Sequence, residues 1–151
     1  MQVYVFDGSF SGLLCCVFEA FEMKQFHVQI TSESKHQPNM FDSVVKIFSD
    51  DIKANRVWKA LELKINNQFL RKLFVTFLSE NECAYQFIFN FCLETFKSSK
   101  DISRNFGNDN VMGITQIHKS VTRESHRMKA FIRFKKSADG LFYCLINPDF
   151  N

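Results

Sequence analysis

Residues 83–97 (CAYQFIFNFCLETFK) constrain this chain more than any other segment, because their apolar side chains do not keep to one stripe. Ile88, Cys92 and Phe96 recur at helical spacing, while Phe87, Phe89, Phe91 and Leu93 occupy the other faces. A helix that is apolar nearly all round has to be enclosed by neighbours, so the segment predicts a central buried helix around which the rest must pack. It is too short for a membrane span: Gln86 and Asn90 break it, and a bilayer crossing needs about 20 predominantly apolar residues. The chain of 151 residues reads as one domain, 1–151, large enough to bury roughly 68–70% of its unfolded surface. Phenylalanine supplies the filling, with 19 Phe against 1 Trp and 3 Tyr. A ring without a polar handle belongs in the core.

The other segments follow from their periods. Residues 3–6 (VYVF) are a short strand ended by the turn Asp7, Gly8, Ser9. Phe10, Leu13, Leu14, Val17, Phe18 and Phe21 then form one helical stripe, which Ser9 or Ser11 can cap. Residues 31–42 (TSESKHQPNMFD) read as a polar loop and residues 43–48 as a second strand. Two further amphipathic helices carry Ala54, Val57, Trp58, Leu61 and Ile65, then Leu70, Leu73, Phe74, Phe77 and Leu78. After the buried helix come a polar loop (98–108), a helix over 109–129, and a β-hairpin of residues 131–135 and 141–146 about the turn 137–140. The expected class is α+β: a small, mostly antiparallel sheet of the N-terminal strand, the second strand and the C-terminal hairpin, covered by a Phe-rich layer of about five helices.

Charge is concentrated. Residues 118–136 hold seven cations against one acid, Glu124, a net of +6, while the rest of the chain nets −3. Lys119, Arg123, His126 and Arg127 share one side of the predicted helix, and Val111, Ile114, Ile117 and His118 share the other. His118 therefore reads as a core or near-core histidine. Glu124 pairs locally with Arg127 and points about 160° away from His126 on a regular helix. In the strand expected next, Phe131, Arg133 and Lys135 alternate onto one face, cations with a ring between them. Two readings fit: a solvated helix leading into a lysine-guarded edge strand, or a surface for single-stranded nucleic acid. The turn Asp7, Gly8, Ser9 likewise either holds an anion at a helix start or caps the helix. The five cysteines (15, 16, 83, 92 and 144) show no CxxC and apolar neighbours, so they read as buried free thiols in a reducing cytosol. No phosphate loop, dinucleotide fingerprint, HExxH, serine elbow or zinc spacing occurs, and no metal or cofactor is expected.

Two blocks resemble a known family. One is VYVFDGSF (3–10), running into Gly12, Leu13 and Leu14 and then VFEAF (17–21). The other is VTRESHRMK (121–129), with FIRF (131–134) and DGLFY (139–143). They are similar to a bacterial family described as a DNA metabolism protein, a domain of unknown function. Its members stand beside a radical S-adenosylmethionine protein and, in longer proteins, are joined to uracil-DNA glycosylase. The resemblance implies a role in DNA repair or nucleobase modification, and places Glu124, His126, Arg127 and Arg133, with Asp7, Gly8 and Ser9, at signature positions. Relatives continue past the equivalent of residues 148–150, so the chain reads as a truncated member.

The leading expectation is a cytoplasmic, DNA-associated accessory module in which Lys119, Arg123, Arg127, Arg133 and Lys135 contact phosphates, Phe131 stacks on a base and His126 tunes the contact. The alternatives are an enzyme acting on a flipped base, with His126 or Asp7 as acid/base, and a subunit that docks a radical S-adenosylmethionine enzyme. No membrane partner is expected.

Overall fold

The structure, a computed structural model, describes residues 2–146. Its elements are β1 (Gln2–Phe6), α1 (Phe10–Glu22), β2 (Gln29–Ser32), β3 (Ser43–Ile47), α2 (Asp51–Lys64), α3 (Asn67–Leu78), α4 (Glu82–Lys97), α5 (Asp109–Phe131), β4 (Lys135–Lys136) and β5 (Phe142–Tyr143). A three-stranded sheet runs β2-β1-β3 with both pairings parallel, and β4-β5 is a separate antiparallel pair.

The main sheet is thus parallel, where a mostly antiparallel one is expected from the sequence. The physical reason lies in β1. Val3, Tyr4, Val5 and Phe6 are all buried, at 3% exposure or less. A continuous apolar strand covered on both faces is the habit of parallel sheets, whereas a half-solvated antiparallel strand alternates. Part of the predicted loop 31–42 is also strand, since Thr31 and Ser32 complete β2. The remainder, residues 33–42, connects β2 to β3.

Register sorts the side chains. Tyr4 lies level with Ile30 and Val45, and Phe6 with Ser32 and Ile47; Val3 and Val5 lie level with Gln29, Thr31, Val44 and Lys46. The Tyr4–Phe6 face meets the helices. Phe6 packs edge-on against Tyr85 of α4, ring centroids 5.2 Å apart. Within α4, Ile88, Phe89, Phe91 and Cys92 are fully buried, so the central helix is where its composition predicts. Phe10 ties α1 to α2 and α3 through edge contacts with Trp58, Phe74 and Phe77 at 5.1–5.6 Å. Segment 33–42 lies over the opposite face, because its residues share a cavity with Val3, Gln29 and Thr31.

The free edge of β2 is covered by one side chain. Gln86 Oε1 accepts from the Ile30 N–H at 3.0 Å, and Gln86 Nε2 donates to the Val28 carbonyl at 3.1 Å. A primary amide thus stands in for the next strand and blunts an edge that would otherwise invite pairing.

α5 begins inside the core and leaves it. Val111, Gly113 and Ile114 are buried against α3 and α4, and Thr76 Oγ1 donates to the Ile114 carbonyl at 3.2 Å. Gly113 allows the close approach: a Cβ there would stand 2.7 Å from the Phe87 ring. Downstream the helix is mostly exposed and continues to Phe131, with Ile132 N–H donating to Met128 at 2.9 Å. Of the strand expected over 131–135, Phe131 is instead the last helical residue, 132–134 are irregular, and the hairpin shrinks to two residues on each side. Its turn forms as expected, with Ser137 N–H on Leu141 O and Gly140 at φ +87°.

Gln86→Leu should lower unfolding free energy by about 1–3 kcal/mol, because it strands a donor and an acceptor at the β2 edge. Urea denaturation followed by circular dichroism reads this as a lower midpoint at unchanged m. Gly113→Ala should cost a similar ~1–3 kcal/mol by forcing α5 away from Phe87.

Candidate nucleic-acid interface

On α5 at 100° per residue, Lys119, Arg123, His126 and Arg127 fall within about 100° of arc. All four are exposed, and the buried Val111 and Ile114 lie on the other side. From Lys119 to Arg127 the row is about 12 Å long. The ion pairs among the described residues, Lys46 with Glu33 and Lys53 with Glu19, leave these cations unengaged. The row leads to Phe131, which is 76% exposed, and then to the exposed Arg133 and Lys135. In the hairpin Lys135 pairs across with Tyr143 and Lys136 with Phe142. Both rings are more than half exposed, and Lys136 Nζ stands 5.9 Å from the Phe142 centroid. Phe131 ends the helix, so Phe131, Arg133 and Lys135 do not alternate along one strand face as the sequence predicts. Phe142 and Tyr143, which sequence reasoning passed over as part of an apolar run, are the rings that stand beside the lysines.

Other candidates are separated. Glu124 is half-buried and lies two residues from His126 in an unbroken helix, so the two project to different sides. His118 is half-buried beneath the row, and burial followed by the charges of Lys72 and Arg71 holds its imidazole below the usual range. Asp7 belongs to another part of the molecule, among β1, α1 and β3, whereas α5 packs on α3 and α4. The structure therefore does not group Asp7 with His126.

Asp7, Gly8 and Ser9 sit at the carboxyl end of the parallel sheet, where open α/β sheets place their crevices. Gly8 takes the left-handed conformation, φ +86°. Ser9 caps α1, its Oγ accepting from the Gly12 N–H at 2.9 Å. The Asp7 carboxylate accepts from Ser9 N–H at 2.9 Å, from Ser9 Oγ at 2.7 Å and from Ser49 Oγ. Ser49, just past β3, has no sequence signal of its own; only parallel pairing brings it here. A Cβ on Gly12 would overlap Asp7 Oδ1 and stand 3.1 Å from the Phe6 ring. The turn thus carries its own anion. Partial burial raises the Asp7 carboxyl, but the hydrogen bonds from Ser49 and Ser9 outweigh it and leave the group below the ordinary aspartate range.

Of the cysteines, Cys15, Cys16 and Cys92 are buried, whereas Cys83 is exposed and Cys144 half-buried, so burial holds for three and not for all five. Burial pushes the Cys92 thiol up to about 12.

Residues 80–151 match a family of unknown function, DUF4130. The match takes in α4, α5 and the hairpin, hence the whole basic row, and leaves the parallel sheet outside. No curated protein and no solved structure matches the chain. No helix among the described residues is long and apolar enough to cross a membrane.

Because the Asp7 carboxyl is lowered in the folded state, its hydrogen bonds stabilise the protein above the unfolded aspartate pKa of about 3.9 and are lost as pH falls through the folded value. Asp7→Asn should therefore be destabilising at neutral pH, with the deficit closing below about pH 4; denaturation midpoints across that range check it. Gly12→Ala should destabilise by displacing the same carboxylate, and less so in an Asp7→Ala background.

Proposed function

We propose that the protein is a DNA-associated accessory module that acts in DNA repair or nucleobase modification. In this reading Lys119, Arg123 and Arg127 hold successive phosphates along α5, and Arg133 and Lys135 extend the track. His126 lies inside the row and adds an exposed imidazole to it. Phe131, Phe142 and Tyr143 offer faces on which bases stack. Cations that track a backbone beside exposed rings are the combination single-stranded nucleic acid requires, with stacking contributing about 1–3 kcal/mol per base.

The observation that carries the reading is the position of the row: on the side of α5 away from the core, exposed, and unengaged by acids among the described residues. A second reading, a subunit that docks a radical S-adenosylmethionine enzyme through this region, is favoured by Leu141 and Leu145, 67% and 98% exposed in the same stretch of chain as Phe142 and Tyr143. Aliphatic side chains serve a protein interface and neither stack on bases nor bind phosphates.

Fluorescence anisotropy with labelled single- and double-stranded oligonucleotides at several salt concentrations separates the two. Single-stranded DNA should bind more tightly, and log K should fall with log salt with a slope of about −0.7 per phosphate contacted. Arg123→Ala/Arg127→Ala should reduce that slope by about 1.4, and Phe142→Ala should weaken single-strand binding with the slope unchanged. Equal and undetectable binding by wild type and the double variant at low salt removes the nucleic-acid role.

A further inference from the structure

A cavity of about 510 Å³ lies between segment 33–42 and the second face of the sheet, and reaches round β2 to Tyr85. This volume is within the range of small-ligand sites. Its walls are firm, because Val3 on the second face is 3% exposed, and Ile30 and Tyr85, where the cavity rounds β2, are 5% and 6% exposed. Phe6 and Phe77 hold the Tyr85 ring at 5.2 and 5.6 Å. Tyr85 lines the cavity, and its hydroxyl is not among the enclosed polar atoms, so it stands open to the cavity's solvent.

The two ends of the cavity differ in chemistry. Gln29 starts β2, and Asn39 and Asp42 approach the start of β3, so this end carries amides and a carboxylate. Lys35 and His36 follow the end of β2, where His36 N–H donates to Ser32 O at 2.9 Å. Lys35 Nζ is anchored on Glu80 O at 2.6 Å and stands 5.6 Å from the Tyr85 centroid. That end is cationic and carries the phenol. β2, which separates Gln29 from the Lys35 end, is itself about 10 Å long, comparable with the span from a nucleobase edge to a 5′-phosphate.

We propose that this cavity is a binding site for a nucleoside monophosphate. The phosphate lies against Lys35, His36 and the Tyr85 hydroxyl, and the Gln29 and Asn39 amides read the donors and acceptors of the base edge. The side chains of this site and of the α5 row do not overlap, so the site stands whether or not the row binds nucleic acid.

Isothermal titration calorimetry of the full chain with UMP, AMP, uridine and inorganic phosphate tests it. At least one of the two nucleotides should bind with a Kd below about 1 mM, and more tightly than uridine or phosphate alone. Lys35→Ala should weaken binding about ten-fold, as expected for loss of a charge-assisted contact. Tyr85→Phe keeps the ring packing and should weaken it several-fold with the thermal midpoint nearly unchanged. Arg123→Ala/Arg127→Ala should bind as wild type does. The proposal is overturned if folded wild type binds neither nucleotide, or if phosphate alone matches them. It is also overturned if the double variant loses binding while Lys35→Ala keeps it, which would place the ligand on α5.

Discussion

β1 has a parallel partner on each side, and a hairpin can reach neither of them. The chain must cross from β1 to β2 and then back past β1 to β3. Parallel crossovers are right-handed in nearly all sheets, and two that run in opposite directions have to pass over opposite faces. α1 takes one face and, with α4, buries Tyr4 and Phe6. Segment 33–42 takes the other, where its few polar residues cannot fill the space a helix would, and a cavity remains above Val3. The same strand order brings the ends of β1 and β3 side by side, which is why Asp7 meets Ser49 across 42 residues of sequence. The Asp7 turn and the cavity are both products of one topological choice.

The helices were legible in the sequence because each carries its own period. Residues 83–97 announce a buried helix without reference to any neighbour, and Ser9 fits the capping position before the Phe10 stripe. Strand direction has no comparable local signal. The run VYVF hints at burial on both faces, yet four residues suit a central antiparallel strand almost as well. β2 was hidden for a different reason: its outer edge is completed by Gln86, 56 residues away from Ile30, and nothing near QITS marks a partner. At the C-terminal end only the last two residues of FIRFKK form a strand, since the helix takes Phe131, residues 132–134 are irregular, and few contacts there reward pairing.

The candidate site was legible as composition but not as shape. The cations of residues 118–136 and their shared helical face follow from spacing alone, and the helix extends far enough to present them together. The rings beside them were misassigned, because period-2 alternation from residue 131 presumed a strand that begins only at Lys135. Lys35 and His36 give no signal, being two residues of a polar loop; they gain meaning only when the crossover lays that loop on the sheet.

Helix electrostatics accounts for only part of the basic row. The carboxyl end of a helix carries a partial negative charge that favours lysine and arginine, but the effect is confined to about the last turn. Lys129 is in that turn and Arg127 lies next to it, so a structural role suffices for both. Arg123 and Lys119 lie 8 and 12 residues before Phe131, beyond the reach of the helix end. Neither joins an ion pair with an acid among the described residues, and packing makes little use of exposed side chains. Their mutual repulsion with Arg127 along one face is a cost that neither the Lys46–Glu33 nor the Lys53–Glu19 ion pair offsets. An anionic partner laid along that face would recover it, which makes Lys119 and Arg123, more than the richer cluster at the helix end, the residues that separate a binding surface from a well-capped helix.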